Sequence, residues 1–152
     1  MIPDVVLSTL AGQPVPGVPE QAVPLLTVDQ AGFPHVCLLS RAELEADQHE
    51  VRAAVASTRT RANLERDGRA CLVVVEDTTA HYLKLRVTRR LEVAGRLALA
   101  FELEEHRADS LGIPLEPMRF TPTAALAELE HWDKSAEALE AARASAGRTP
   151  GD

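Results

Sequence analysis

The sequence predicts a mainly β domain, a small closed or nearly closed antiparallel barrel with helices at its ends. About six segments have strand-like composition, and turns rather than helices join most of them. A parallel α/β sheet would need a helix after nearly every strand, and only one central helix is available for that. The length of 152 residues suits one domain. We expect an N-terminal helix and Pro/Gly-rich arm over 1–22, the barrel over 23–121, and a C-terminal helix with a loose tail over 122–152.

The sequence predicts a helix, a hairpin and a further strand in the first half of the chain. Residues 4–10 predict a short helix that ends before a segment rich in Gly and Pro. Residues 23–29 and 33–40 predict a β-hairpin, because Gly32 can adopt the positive φ that closes the intervening turn. Residues 51–56 predict a third strand.

Apolar residues then dominate two further stretches. Residues 70–76 form an almost continuous apolar strand of the kind that is covered on both faces. From Leu83 to Leu103 apolar residues hold the odd positions and polar residues most even ones, as in a strand with one buried face. Gly95 indicates a bulge or bend, so we expect two strands or one strongly bent strand. Residues 104–111 predict a short helix that ends at the next glycine.

The C-terminal part predicts a short strand and a long helix. Residues 118–121 suit a final strand, after which Thr121 is a good N-cap and Pro122 a good first-turn residue. The helix extends from 124 to about 144. It carries one apolar stripe, in which we interpret the tryptophan as a packing anchor: Leu126, Leu129, Trp132, Ala136 and Leu139.

Charge is distributed unevenly along the chain. The net charge is -7, yet residues 51–90 carry nine bases against four acids, which gives +5. The nine bases are Arg52, Arg59, Arg61, Arg66, Arg69, Lys84, Arg86, Arg89 and Arg90. A nucleic-acid binder is expected to be basic overall, so a local excess favours a small anion over nucleic acid as the ligand.

Neither targeting nor disulfide signals are evident. The start, MIPDVVLSTLAG, lacks a basic segment followed by a long apolar run, and no later run approaches the roughly 20 apolar residues of a membrane helix. We therefore expect a cytoplasmic protein without membrane contact. Cys37 and Cys71 lie in apolar runs with no C-x-x-C spacing, and we interpret them as small core residues.

Motifs for metal binding and hydrolysis are missing from the sequence. The histidines lack metal-ligand spacing, so no zinc site is expected. A serine hydrolase or an NTPase is disfavoured, since no G-x-S-x-G, Walker or dinucleotide glycine pattern occurs. No acid–base pair stands out, and we assign no catalytic residue. His35, at the start of the second hairpin strand, is the one histidine that we expect to approach a substrate.

Residues 57–68 gather hydroxyl and guanidinium groups at the start of a short helix. Ser57, Thr58 or Thr60 can cap the helix, and Leu64 packs inward. Unpaired amides at a helix N-terminus, hydroxyl donors and arginine together suit a phosphate group. In the alternative interpretation the hydroxyls only cap the helix and the arginines are solvated.

Three pieces of sequence occur in a recognisable order. The hairpin LLTVDQAGFPHVCLLS contains a D-x-x-G turn and a G-x-P-x strand, TRTRANL follows a further strand, and DGRACL leads into the next one. This order resembles the pyridoxamine 5′-phosphate oxidase-like superfamily of flavin-binding split β-barrels. The resemblance covers residues 23–76 well and the strands to 103 loosely, and it leaves out the C-terminal helix. It implies a six-stranded antiparallel split barrel of the FMN-binding type.

The resemblance also implies a homodimer that binds FMN at the subunit interface and acts as an oxidoreductase on a small molecule. The matching positions place four residues around the FMN phosphate: Thr58, Arg59, Thr60 and Asn63. The strand beside the isoalloxazine ring is Cys37, Leu38, Leu39 and Ser40, whose backbone groups can bond the ring edge. Two more positions match flavin contacts, Ala53 and Ala54. Three cations are candidates by charge and strand face only: Arg61, Lys84 and Arg86.

Departures from the family leave alternatives open. The true oxidases carry an arginine where this chain has Cys37 and a lysine where it has Thr60, so two phosphate-binding cations are missing. The basic C-terminal segment of the oxidases has no counterpart either, which disfavours pyridoxamine phosphate oxidation. One alternative is a non-catalytic ligand-binding or sensor protein on the same barrel. Another is a related cofactor, a deazaflavin or haem.

Overall fold

The computed structural model describes residues 1–147. In chain order the elements are α1 (Asp4–Leu10), β1 (Glu20–Gln21), β2 (Val23–Val28), β3 (Pro34–Leu39), a 3-10 turn (Arg41–Glu43), β4 (Leu44–Ala46), β5 (Glu50–Val55), α2 (Thr58–Arg66), β6 (Arg69–Glu76), β7 (Thr79–Val93), β8 (Arg96–Ser110), β9 (Arg119–Phe120), α3 (Ala124–Leu129) and α4 (Trp132–Ala144). Within the described range, every helix is too short or too polar to cross a bilayer.

The strands form one curled antiparallel sheet. Its order is β3-β2-β6-β7-β8-β5-β4, while β1 and β9 pair separately. The long strands β7 and β8, of 15 residues each, shift register twice, at Lys84/Leu85 and at Val87/Arg89. Such irregularities bend a strand and raise its twist, which curls the sheet into a half-barrel. The mainly β split-barrel class is confirmed, with seven strands in the sheet instead of six because β4 was not foreseen.

The concave face of the sheet holds the main core. Phe101, Leu99 and Leu72 are fully buried there, and α1 closes one side with Val6. A smaller cluster lies on the other face, where Ala138, Leu139 and Ala142 of α4 cover Ala54 of β5 and Ala98 of β8. The even positions of β8 are therefore not a simple polar face, since α4 covers several of them.

The local signals of the first half are confirmed. The helix at 4–10, the hairpin of β2 and β3, the strand β5 and the helix after it all lie where the sequence placed them. Gly32 in the hairpin turn has a φ of 89°. The Asp29 carboxylate accepts from the amides of Ala31 and Phe33, both at 2.9 Å, and so fixes the turn.

Gly95 is a turn residue and not a bulge. It follows Ala94, and their φ values of 79° and 53° are both positive, as in the type I′ turn that matches the twist of a hairpin. The expectation of two strands in this stretch is therefore confirmed.

The expected helix at 104–111 is wrong, because these residues continue β8 to Ser110. They pair with the first residues of β7, and Lys84 faces Glu105 across the ladder at 2.9 Å. The local run Glu-Glu-His-Arg-Ala favours a helix by propensity. Here the hydrogen bonds to a partner strand distant in sequence override that weak preference.

Strand β6 is covered on one face only within the single chain. Leu72 and Val74 are buried, whereas Val73 and Val75 are half-exposed. The interpretation of the cysteines as core residues needs the same correction. Both thiols are free and half-buried, Cys37 against the edge of the core and Cys71 on the open face of β6.

The C-terminal helix is divided in two. His131, with a φ of 52°, interrupts it between α3 and α4. The cap is Thr123, whose hydroxyl accepts from the Leu126 amide at 3.0 Å, so the assignment of Thr121 as cap and Pro122 as first-turn residue is wrong.

The expected apolar stripe of the C-terminal helix is only partly correct. Leu129 is 75% exposed and Ala136 is also exposed, because the break at His131 changes the helical phase. The buried face of α4 consists of Ser135, Ala138, Leu139 and Ala142. Residues 148–152 of the expected tail lie outside the described residues.

One buried cation holds the β4–β5 end of the sheet. Arg52 is 4% exposed and donates to Glu45 at 3.0 Å, to Asp47 at 2.8 Å and to Glu50 at 2.6 Å. Glu50 also accepts two bonds from Arg89, at 3.0 and 2.9 Å. Burial opposes the charged form of the Glu50 carboxyl, but the bonds from Arg89 and Arg52 outweigh it and lower its pKa. Asp47 has a lowered pKa through the same competition.

Replacing Arg52 by leucine is expected to cost about 2–4 kcal/mol of unfolding free energy at neutral pH, because carboxylates then lose a buried partner. Carboxyls with a lowered native pKa stabilise the fold above their unfolded pKa and lose that effect as the pH falls through the native value. The cost of Arg52→Leu should therefore shrink between about pH 7 and pH 3 in urea unfolding. Arg107→Leu, at a position 72% exposed, is the control. An Arg52 cost that stays equal at both pH values contradicts the role assigned to these ion pairs.

Candidate functional site

Helix α2 is attached to the barrel through its inner side. Leu64 is fully buried in the core, and the Asn63 side-chain amide donates to the Thr27 hydroxyl at 3.0 Å in a buried position. At the start of the helix, the Ser57 hydroxyl accepts from the Thr60 amide at 3.4 Å. The sequence produces this arrangement because a capping serine precedes a turn whose later residues point to the core. The helix is thereby held with its N-terminus near the edge strand β3.

The first turn of α2 faces solvent. Thr58 and Arg59 are exposed, and their backbone amides make no hydrogen bond within residues 1–147. The Arg59 guanidinium has no hydrogen-bond or ion-pair partner in the same range. Free amides at a helix N-terminus carry partial positive charge and can hold an anion.

Most of the nine cations of residues 51–90 have structural partners within the described chain. Some pair with carboxylates, as Arg61 does with Glu92, and others donate to backbone carbonyls, as Arg90 does to Leu64 at 2.7 Å. Arg59 and Arg69 are the two for which residues 1–147 offer no such partner. The charge of +5 in this segment therefore does not correspond to one continuous cationic patch.

The two departures from the oxidase pattern, Cys37 and Thr60, lie side by side. Thr60 is fully buried, and its hydroxyl oxygen finds no hydrogen-bond partner with good geometry in residues 1–147. Burial raises the pKa of the Cys37 thiol, and the adjacent Thr60 hydroxyl acts in the opposite direction. A compact, uncharged pair thus occupies the place where the oxidases have two cations.

The structure divides the four predicted phosphate residues into two pairs. Thr58 and Arg59 are on the outer side of α2, available to a ligand. Thr60 and Asn63 are on the inner side, with 0% and 5% of their surface exposed. Because Asn63 is bonded to Thr27, its amide is committed to holding the helix. The assignment of these residues to FMN stays a prediction.

The predicted flavin strand is an edge strand. In the described sheet β3 pairs with β2 alone, so one row of its backbone groups has no strand partner. Leu38 is 52% exposed, whereas Leu39 and Ser40 are buried. The Ser40 hydroxyl accepts from the Ala42 amide at 3.1 Å and caps the 3-10 turn. One backbone edge of β3 therefore has no strand partner in the described sheet, and its assignment to the flavin ring stays a prediction.

The other residues predicted to contact the flavin are less accessible to a ligand or lie away from α2. Ala53 and Ala54 are 0% and 2% exposed, the latter beneath α4, so their side chains offer no free surface. Lys84 is paired with Glu105 and lines a groove of about 340 Å³ that no residue of α2 lines.

Arg61 and Arg86, the two other cations considered from charge and strand face, are also paired with carboxylates. Glu92 is the partner of Arg61, and Glu104 is the partner of Arg86. His35 lies half-buried in β3, opposite Thr27 in β2. The structure therefore brings Thr58, Arg59 and the edge of β3 to one side of the barrel without joining the paired cations to them.

Sequence reasoning missed a histidine pair between β7 and β8. His81 Nδ1 and His106 Nε2 are 2.9 Å apart, and the rings stack with centroids at 5.2 Å. Burial and the neighbouring imidazole lower the pKa of His81. Residues 1–147 contain no cluster of three or more candidate metal ligands. The pair could not be anticipated while 104–111 was expected to be helical, since only the strand register brings His106 beside His81.

Sequence reasoning also missed a cavity of about 480 Å³ between β3 and the C-terminal segment. Leu38, Leu39 and Ser40 form one wall, and Trp132 and Phe120 form the other. The only signal for it in the sequence is the tryptophan, whose position on the apolar stripe indicates a packing anchor instead.

Comparisons with known proteins rest on structure alone. No protein-family model and no curated protein matches the sequence. HupZ of Group A Streptococcus is 14% identical over 76% of this chain and 100% of its own, with a TM-score of 0.57. The styrene monooxygenase flavin reductase of Pseudomonas putida S12 is 11% identical over 67% and 86%, with a TM-score of 0.52. An FMN-binding protein of Syntrophomonas wolfei is 16% identical over 59% and 78%, with a TM-score of 0.50.

These similarities agree with the strand order and the curl of the sheet. The chain has a split β-barrel fold like that of these proteins. Flavin-binding and reductase proteins are among its structural neighbours.

Because α2 has a buried inner side and an exposed outer side, substitutions on the two sides should change the unfolding free energy by different amounts. Asn63→Ala leaves the buried Thr27 hydroxyl without its partner and should cost about 1–3 kcal/mol. Thr58→Ala removes an exposed hydroxyl and should change the unfolding free energy by less than about 0.5 kcal/mol. Urea unfolding of both variants measures the difference. Equal costs would show that the two sides of the helix are not distinct.

Proposed function

We propose that the chain is an FMN-binding flavoprotein, a homodimeric oxidoreductase that acts on a small molecule. The observation that carries the proposal is the first turn of α2, where free amides, the Thr58 hydroxyl and the unpartnered Arg59 lie together next to the edge strand β3. The fold supports it, because a flavin reductase and an FMN-binding protein share this barrel.

The phosphate of FMN suits the N-terminus of α2. A phosphate group carries nearly two negative charges at neutral pH and accepts hydrogen bonds through several oxygens. Thr58 and Arg59 would supply the hydroxyl, the guanidinium and two backbone amides. Without cations at positions 37 and 60, Arg59 is expected to contribute more of the affinity than it would with two basic neighbours.

The ring of FMN suits the open edge of β3. Backbone amides and carbonyls from Cys37 to Ser40 would hold the ring edge, which demands no particular side chain. The flavin itself, when bound, supplies hydride or electron transfer. The chain needs only to bind the cofactor, to orient it and to exclude water, which is consistent with the lack of an acid–base pair in the sequence.

A homodimer is supported by the outer face of the sheet, the face opposite the main core. Register partners lie on the same face of a sheet, and Val36, Leu26 and Cys71 are successive partners across β3, β2 and β6. The outer face of these strands is half-exposed and mostly apolar: Pro24, Leu26, Val28, Val36, Leu38, Cys71, Val73 and Val75. A second copy of the chain covering this face would bury both faces of β6, as its composition suggests.

A non-catalytic ligand-binding or sensor role on the same barrel is the second candidate. Two observations favour it: the uncharged Cys37–Thr60 pair and the inward orientation of Asn63 reduce the number of groups that can bind phosphate. A deazaflavin or haem remains an alternative cofactor, and the cytoplasmic location stays a prediction.

Replacing Arg59 by alanine should weaken FMN binding roughly ten- to hundredfold, because a hydrogen bond to a charged group contributes about 1.5–3 kcal/mol. Quenching of FMN fluorescence measures the affinity. Lys134→Ala, which removes an exposed cation from α4, is the matched control and should bind FMN as the original chain does. Unchanged affinity in Arg59→Ala would remove the main support for the proposal. A chain that never quenches FMN would favour the second candidate.

Replacing Val36 by lysine should separate the dimer, because it places a charge in the centre of the outer face. Sedimentation equilibrium should give twice 16.4 kDa for the original chain and one chain mass for the variant. Val5→Lys, on the exposed side of α1, should leave the dimer intact. A single-chain mass for the original protein contradicts the proposed assembly.

A further inference from the structure

The cavity between β3 and the C-terminal segment has the size and lining of a small-molecule site. Its volume of about 480 Å³ lies within the usual range for ligand pockets, roughly 300–1,000 Å³. The side chains of Leu38 and Leu126 supply apolar walls, and the rings of Phe120 and Trp132 meet edge to face with centroids 6.5 Å apart. One wall of the cavity, from Met118 to Trp132, lies outside the family resemblance, whereas Leu38 and Glu43 lie within it.

Two polar groups meet at the inner end of the cavity. Glu43, at the end of the 3-10 turn, presents its carboxyl there. The indole nitrogen of Trp132 is buried, and its N–H lies on the Glu43 side without making a well-formed hydrogen bond in residues 1–147. A buried donor without a partner and a half-buried carboxyl with incomplete pairing are costly in an empty pocket. A cationic ligand that pairs with the carboxyl would reduce the carboxyl's part of that cost.

The charges around Glu43 favour a cationic ligand. Glu130, at the end of α3, also lines the cavity and adds a second carboxylate. Arg119 of β9 lies on the rim and is about half-exposed, while Arg96 of β8 lies outside the lining and donates to the Glu130 carbonyl at 2.8 Å. The Cys37 thiol on β3 is uncharged at neutral pH, because its pKa is raised. Two carboxylates and one rim arginine thus line the cavity, and Arg96 behind the lining is near enough to lower the pKa of Glu43.

We propose that this cavity binds a small apolar primary amine, with the ammonium group on the Glu43 carboxylate and the apolar body against Trp132 and Phe120. The cavity shares Leu38, Leu39 and Ser40 with the strand proposed to hold the flavin ring. Amine binding requires no FMN, so the inference goes beyond the proposed function and can be tested without the cofactor.

The protonation state of Glu43 gives the binding a definite pH dependence. Burial raises the pKa of Glu43 to about 7. Glu130 adds to the rise, while the Trp132 N–H, the Ser40 backbone and the charge of Arg96 oppose it. A primary amine, with a pKa near 10 as in lysine, stays charged throughout this range. Amine affinity should therefore increase as the pH rises from about 6 to about 8 and Glu43 becomes an anion.

The probe for the experiment is 2-phenylethylamine, compared with the neutral 2-phenylethanol and the anionic 3-phenylpropanoate. Trp132 is the single tryptophan of the chain, so its fluorescence reports on the cavity, and calorimetry measures the same titrations independently. In the absence of FMN we expect the amine to bind at least tenfold more tightly than the alcohol at about pH 8, and the anion not to bind. The preference should fall several-fold at about pH 6.

Glu43→Gln keeps the shape of the side chain and should abolish both the preference for the amine and its pH dependence. Glu128→Gln, on α3 but outside the lining, should change neither. Binding of the alcohol or the anion as tightly as the amine overturns the proposal, and so does a pH profile of the original chain that is flat. These two results come from the unaltered protein and do not depend on whether a variant folds.

Discussion

The attachment of α2 to the barrel is the constraint on which the candidate site depends. Leu64 in the core and the bond from Asn63 to Thr27 hold the inner side of the helix. Because that side is fixed, the first turn must face outward beside the edge strand β3. The side chains that attach the helix to the barrel are already engaged, so the proposed site is restricted to the outer residues Thr58 and Arg59 and to free backbone groups.

The difference between cations with structural partners and a cation without one explains how an acidic protein can have a basic middle segment. Most of the cations between 51 and 90 stabilise contacts between elements: Arg52 and Arg89 join at Glu50, Arg61 reaches the β7–β8 turn, and Arg90 holds the end of α2. Arg59 is left at the helix start, where backbone amides add partial charge. A local anion site therefore requires neither a basic surface nor a large net charge.

The parts of the fold that depend on residues close together in the sequence could be predicted from the sequence. The β2–β3 hairpin follows from its turn, α2 from its serine cap, and the barrel class from the strand spacing. The continuation of β8 to Ser110 could not, because its local composition favours a helix and only pairing with β7 decides the outcome. The inward position of Asn63, the His81–His106 contact and the cavity at Trp132 are likewise set by packing between distant segments.

The central claim is that the free amides of α2 hold the phosphate of FMN. Amide NMR of labelled protein during an FMN titration tests it most directly, because a hydrogen bond to phosphate moves an amide proton signal downfield. The account predicts saturable downfield shifts at Thr58 and Arg59, with Asn63 much less affected. Saturable FMN binding that leaves both of those amides unmoved would contradict it.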